Sequence, residues 1–471
     1  MNTYFLTAFI AYFSFFLGLS IFFYQRSFTS RSFMLGDRSM NFWVTALKTQ
    51  ASDMSDWLFM AYPGLIYGLG IFNAWVALGL IVFMFLNWHF IAPRLRKATE
   101  HYDSITLASF FEHHFKDSSG LIRLLTVFFT TYFIVYYLGA ELVGLGRLFE
   151  TTFGINYTLG ITISIALVVA NIIIGGFSAA AWGDTFRGLF LAAMIITVPL
   201  IALNHLNLSL FAVISNEHLF HGLVPDYSLS TLGQILLLSM GWGLGYFGSP
   251  HILVNFMSIK NPQELHKAKY VGVAWMVLVL AAATIVGLVG TVYFIPPLIN
   301  RELVYIEMVK QLFHPLLAGL ILCGVLAATM SVMTAQILAT TSLIAEDLFK
   351  PLLKDRLGTR GHLMLVRCCV IALPLFSYLV SYRSQVPIND LVAYAWSGLG
   401  LAFGPTVIAA LYVSFAHKKA VQSTILLGGL LGLVWPRLGF PFLPLLPGFI
   451  LCFCFLVLLS VAFRSLPTVI E

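Results

Sequence analysis

Long apolar runs alternate with short polar breaks along the whole chain. Each run reaches about 20 residues, the length a helix needs to cross a bilayer core of about 30 Å. The pattern predicts thirteen membrane spans, at 3–24, 43–69, 71–92, 122–147, 156–174, 182–203, 231–257, 270–295, 315–344, 363–381, 388–414, 420–436 and 444–463. A membrane β-barrel needs short segments of alternating polarity instead, and the sequence has none. The first run has no basic stretch before it and is too long for a cleaved leader, so it is expected to stay as a span.

Composition agrees with this all-α polytopic membrane class. Of 471 residues, 59% are hydrophobic and only 10% are charged, and the mean hydropathy is +0.90. The five cysteines, Cys323, Cys368, Cys369, Cys452 and Cys454, all sit in apolar runs. Their spacing fits neither a metal site nor a disulfide framework. The longest connections, 93–121, 204–230, 296–314 and 348–362, are too short for a separate soluble domain. The expectation is therefore a single transmembrane unit over 1–471, with no attached catalytic or kinase module.

Charge fixes the orientation. Of the 26 Lys and Arg residues, twenty fall in connections on one side, five on the other, and Lys48 falls inside a span. The richer side is cytoplasmic by the positive-inside rule, which places the N-terminus outside and the C-terminus in the cytoplasm. The net charge of +6 then reflects basic cytoplasmic loops rather than a nucleic-acid surface. The partners expected are the lipid bilayer and a small solute.

Two spans make poor continuous helix. In "KTQASDMSDWLFMAYPG", Lys48, Asp53 and Asp56 interrupt the apolar pattern before Pro63 and Gly64. In "MGWGLGYFGSPH", residues 240–251, four glycines precede Pro250. Each interior glycine costs about 1 kcal/mol against alanine, and proline costs more. Such backbone survives at membrane depth only inside protein or along a cavity. With the first span set aside, the breaks fall in helices 1 and 6 of two five-helix halves. That placement points to an inverted-repeat secondary transporter, with a first repeat over 43–203 and a second over 231–414. The segments 3–24 and 420–463 are then peripheral. A glycine run also serves close helix packing, which is the alternative reading of the second break.

At these residues the sequence resembles the sodium/solute symporter family, and within it the bacterial members that carry sodium and proline. The resemblance rests on "TALKTQASDMSDWLFMAYPG", "RLFETTFGINY", "GGFSAAAWGDT", "MGWGLGYFGSPHIL", "LAATMSVMTAQIL", "AEDLFK" and "YAWSGLGLAFGP", in family order over nearly the whole chain. It implies a LeuT-type core of five plus five helices, a bacterial inner-membrane location and sodium as the coupling ion. Carried over by position, the sodium ligands are the carbonyls of Ala51, Met54 and Ala328 and the hydroxyl of Ser331, with Asp53 as the nearby essential acid. Oxygen donors of this kind suit a hard cation. The matching substrate positions are Trp57, Tyr137, Trp242, Tyr246 and Pro250, an aromatic box suited to a small ring such as proline's. Asp184 and Arg38 match family residues expected at a gate or anchor.

Departures cluster in the same region. Val332 stands at the family's second hydroxyl position, and a methyl group cannot bind sodium. Lys48, Gln50 and Asp56 replace small residues, and Glu141 replaces glycine. A charge at mid-membrane costs at least about 2.5–3.5 kcal/mol, so it needs a partner or a duty. The expectation is that Lys48 pairs with Asp53 or Glu141, and that these three groups modify ion coupling, with proton coupling as the alternative to sodium. A structural ion pair beside an unchanged sodium pathway, or Lys48 reaching to the cytoplasmic interface, is the other reading of the same charges. A non-transporting sensor or receptor with a degenerate ion site is the other alternative. Sensors of that kind carry a long cytoplasmic kinase extension, whereas this chain stops soon after Arg464. No nucleophile–base pair, phosphate loop or zinc motif suggests an enzyme, and no resident cofactor is expected.

Overall fold

The breaks and the apolar runs shape a computed structural model that describes residues 3–22, 35–207, 209, 212–213, 222–353 and 358–465. Arg26, Arg31, Lys354 and Arg356, four of the twenty charges expected on the cytoplasmic side, lie outside the described residues. In chain order the principal helices are α1 (Thr3–Phe22), α2 (Phe42–Ala51), α3 (Tyr62–Leu69), α4 (Ala74–Leu86), α5 (Leu121–Phe153), α6 (Tyr157–His205), α7 (Leu229–Gly243) and α8 (Pro250–Met257). They continue with α9 (Leu265–Tyr293), α10 (Pro315–Ser342), α11 (Gly358–Ser381), α12 (Ile388–Tyr412), α13 (Lys418–Val434) and α14 (Leu445–Ser465). Among the described residues no strand forms beyond one isolated bridge between Met40 and Ile259.

Among the described residues, ten helical segments are long and apolar enough to cross a membrane. Two are central: the apolar windows of the segments containing α10 and α12 are 83% and 89% buried, against 28–56% for the other eight. Other helices instead expose Leu278, Phe376, Ile450 and Leu458. Outward-facing apolar side chains of this kind suit a hydrocarbon solvent, as expected of a multi-pass membrane protein. The two spans expected at 156–174 and 182–203 form one helical run of 49 residues, α6, with helical backbone where a turn was expected. At 1.5 Å per residue this is about 74 Å, more than twice the bilayer core. Its two apolar windows, 157–174 and 180–205, each suffice for a span.

Both predicted interruptions are present. The side chain of Asn41 caps α2 by accepting from the Val44 amide at 2.9 Å. The helix ends after Ala51, where Ser52, Asp53 and Ser55 offer hydrogen bonds that compete with helical pairing. A π-helical turn at Trp57–Ala61 then leads into α3. The second interruption separates α7 from α8 by a 3₁₀ turn, Leu244–Gly248, and an extended Ser249. Its glycines also allow close packing. A Cβ on Gly248 would lie 2.5 Å from the Leu399 carbonyl oxygen, and one on Gly245 would strike the Trp396 indole. Breaking the helix and packing against α12 are thus joint consequences of the same glycines.

Candidate functional site

The two interruptions are hydrogen-bonded to each other. The Tyr246 hydroxyl donates to Asp53 Oδ2 at 2.6 Å, and the Asn255 amide donates to Ser52 Oγ at 2.8 Å. Asn87, in a π-helical turn after α4, donates to the Tyr246 carbonyl at 3.2 Å. That last bond satisfies a carbonyl from the irregular turn, which would be costly to leave unpaired at membrane depth.

Around this junction lies a cavity of about 20 Å³ lined by Asp53, Met54, Trp57, Leu80, Tyr137, Trp242, Tyr246, Val392 and Trp396. Four of the five expected substrate residues, Trp57, Tyr137, Trp242 and Tyr246, therefore converge. Pro250 does not line it, because it starts α8 on the far side of the 3₁₀ turn. The four-residue spacing that linked it to Trp242 and Tyr246 needed a continuous helix. In its place stands Trp396, edge-on to Tyr246 with centroids 5.1 Å apart and donating to the Trp242 carbonyl at 2.8 Å. Its stretch, "YAWSGLGLAFGP", was visible in the sequence, but its direction was not. Asp53, expected beside an ion site, contributes its carboxylate to the aromatic cavity.

The expected cation ligands lie on α2, the first interruption and α10, and all are buried. Among the described residues the carbonyls of Ala51 and Met54 accept no hydrogen bond, since the helix stops there. The buried Ser331 hydroxyl lies beside the Asp184 carboxylate without an aligned hydrogen bond. Unpaired oxygens of this type fit a hard monovalent cation, while Val332 offers none.

The pairing expected of Lys48 is not found. Its ammonium lies 3.2 Å from the centroid of Phe177, and the carboxylate acting on it is Asp184, which is also bridged to Arg187 at 3.1 Å. Lys48 thus belongs to a buried cluster between α2, α6 and α10 rather than to Asp53 or Glu141. Glu141 instead meets Asp56, carboxyl against carboxyl, with the Ser55 side chain alongside. Asp56 Oδ2 occupies the space that a Cβ on Gly144 would take. Helical periodicity cannot forecast either meeting, because both depend on how separate helices pack.

Beside the aromatic cavity lies a larger one, a vestibule of about 590 Å³, whose lining includes Phe72, Gln234, Trp242, Asn389, Tyr394 and Trp435. Trp242 belongs to both and forms part of the wall between them. The opposite, arginine-rich end is closed by backbone pairing of Met40 with Ser258 and Lys260. There Arg38 donates to the carbonyls of Thr99 and Ser104 at 2.9 and 3.0 Å, and Arg96 donates to that of Ile259 at 2.9 Å.

Residues 33–432 match the sodium:solute symporter family. The chain belongs to the sodium:solute symporter family. Among relatives of this symporter chain is the sodium/proline symporter of Escherichia coli, 35% identical over 89% of this chain and 85% of that one. Another is the high-affinity proline transporter PutP of Bacillus subtilis, 34% identical over 96% and 95% of the two chains. In structure the symporter chain is similar to a Na⁺-coupled sialic acid symporter in a substrate-bound outward-open state. The TM-score is 0.83 at 15% identity, covering 98% of both chains. It is also similar to MhsT in complex with L-phenylalanine, with a TM-score of 0.58 at 13% identity over 88% of this chain and 98% of that one. At these identities the two structures speak to the fold alone, and they share it with this symporter.

Proposed function

We propose that this chain is a secondary active symporter that takes up proline or a closely related small solute by alternating access, with sodium as the driving ion. The observation that carries the reading is the junction of two interrupted helices, tied by Tyr246 and Asp53 over an aromatic cavity. Its relatives, named as proline transporters, supply the solute class. The aromatic faces of Trp57, Tyr137, Trp242 and Tyr246 suit an apolar ring, while Asp53 and the freed backbone groups suit the charged ends of an amino acid.

In this reading sodium is held by the carbonyls of Ala51, Met54 and Ala328 and the hydroxyl of Ser331. The thirteen spans are two inverted five-helix repeats, 43–203 and 231–414, with 3–24 and 420–463 outside the core. The chain sits in the bacterial inner membrane with its N-terminus outside. The cavity has room for about one water molecule, so solute entry needs Trp57 or Trp242 to move. Opening of the vestibule side alternates with opening of the end closed by Arg38, Arg96 and the Met40–Ile259 bridge.

One observation favours a second reading in which proton coupling weakens or replaces the dependence on sodium. Lys48 is buried one turn from Ala51, and Val332 supplies no oxygen. The test is radiolabelled proline uptake into proteoliposomes under a sodium gradient or a proton gradient imposed separately. Accumulation driven by sodium supports the main reading, and accumulation driven by protons alone supports the second. No proline accumulation in either arm, with intact protein, overturns proline as the solute.

A further inference from the structure

Trp57 is the one aromatic lining residue of the cavity whose ring nitrogen is held from the outer end of a different helix. Its indole Nε1 donates to Asn389 Oδ1 at 3.3 Å. Asn389 lies in the first turn of α12 and also lines the larger vestibule. Its backbone amide donates to Glu302 Oε1 at 3.4 Å. The other oxygen of Glu302 is ion-paired with Arg147 on α5, whose second guanidinium nitrogen donates to the Val386 carbonyl at 3.1 Å. One continuous chain of polar contacts therefore runs from an outer ion pair to a ring over the cavity.

The same ring is clamped by aromatic contacts. Trp57 stacks on Tyr62 at 5.1 Å, with planes 22° apart, and packs against Trp242 at 5.2 Å. Trp242 is the side chain shared by the two cavities, and Trp57 packs against it from the junction side. Glu302 is itself nearly buried and is anchored from two further elements. An ion pair held this way breaks at a real cost, unlike an exposed one.

We propose that Asn389 is a positioning residue that latches Trp57 over the cavity, and that the Arg147–Glu302 pair sets the latch. Breaking any link frees the Trp57 ring to swing and raises the population in which the cavity is open to the vestibule. The latch acts on access, not on the solute's own contacts. It rests on the transporter reading but not on the identity of the solute or the ion.

The test measures access directly in full-length protein in lipid nanodiscs. The five native cysteines are replaced by serine and one reporter, Leu80→Cys, is placed in the cavity wall. A small methanethiosulfonate reagent cannot fit while the space stays near 20 Å³, so its reaction rate reports the open fraction. Asn389→Ala and Glu302→Gln are expected to raise that rate about five- to tenfold, the equivalent of one lost hydrogen bond. Asn389→Asp keeps an acceptor oxygen facing the indole and is expected to stay near the parent rate. Equal rates in the parent, Asn389→Ala and Glu302→Gln would overturn the latch. Labelling of Asn389→Asp as fast as Asn389→Ala would also overturn it, by showing a general loosening of the α12 end. Because no solute is added, failure here is separate from any failure of proline uptake.

Discussion

The Tyr246 hydroxyl donates a 2.6 Å hydrogen bond to Asp53 Oδ2, joining the irregular centre of one interrupted helix to that of the other. Both side chains are buried and both line the central cavity. Any separation of the two interrupted segments must stretch or break this bond.

Tyr246→Phe keeps the ring and deletes the donor. A hydrogen bond to a carboxylate contributes about 1.5–3 kcal/mol, so the apparent affinity for solute should fall roughly ten- to hundredfold. Concentration-dependent uptake in proteoliposomes measures it. An unchanged half-saturation would mean that the bond plays no part in holding the solute-competent state.

Gly248→Ala places a methyl 2.5 Å from the Leu399 carbonyl oxygen and 2.8 Å from Gly400 Cα, neither of which can yield without moving α12. Overpacking of this kind costs about 1–3 kcal/mol. Thermal unfolding in detergent should show a clear loss of stability. Gly233→Ala in α7 meets nothing within 4 Å and should be neutral or slightly stabilising, by up to about 1 kcal/mol. Equal behaviour of the two variants would count against the close approach at Gly248.

The double substitution Lys48→Ser with Val332→Thr removes a tethered ammonium and supplies a missing oxygen. The half-saturating sodium concentration for uptake should drop by about tenfold or more, equivalent to ~1.4 kcal/mol. Val332→Thr alone should have a smaller effect, since Lys48 would still be present. If the double variant responds to sodium as the parent does, the buried lysine has no bearing on coupling.

Asp117, in the connection before α5, is a pH-sensitive anchor outside the spans. Partial burial opposes its ionisation, but donors from Ser119, the Ile122 amide and Gln422 outweigh that and hold its carboxyl below the usual carboxylate range. A lowered folded-state pKa contributes stability above the ordinary value of about 4, and that stability is lost as pH falls through the folded value. Thermal stability followed from about pH 6 to about pH 3 should therefore fall at the acid end. Asp117→Asn should lack this component. An identical acid profile in the variant would show that Asp117 does not contribute.

The legible part of the site was its backbone. Glycine, proline and clustered Ser/Asp mark helix interruptions because their effects on φ and on backbone hydrogen bonding are local, and both interruptions stand where the residues put them. Four aromatic residues on separate segments, Trp57, Tyr137, Trp242 and Tyr246, also meet as expected. The misjudged part was the partner of the buried lysine and one member of the aromatic group. Lys48 reaches Asp184 and Phe177 instead of Asp53 or Glu141, and Pro250 leaves the aromatic group while Trp396 joins it. The glycines around 175 did not produce a turn, because a helix tolerates a glycine at about 1 kcal/mol when its neighbours are good helix formers.

By itself the sequence determined an all-helical membrane chain, the two interruptions and the residue types gathered at them. Apolar run length, glycine and proline act within a few residues and need no knowledge of neighbours. Only the tertiary structure decided that Tyr246 bonds to Asp53, that Glu141 faces Asp56, and that Asn389 joins Trp57 to the Arg147–Glu302 pair. Each of these depends on the rotation and depth of helices far apart in sequence. Packing sets those two quantities for all helices together, and no single segment encodes them.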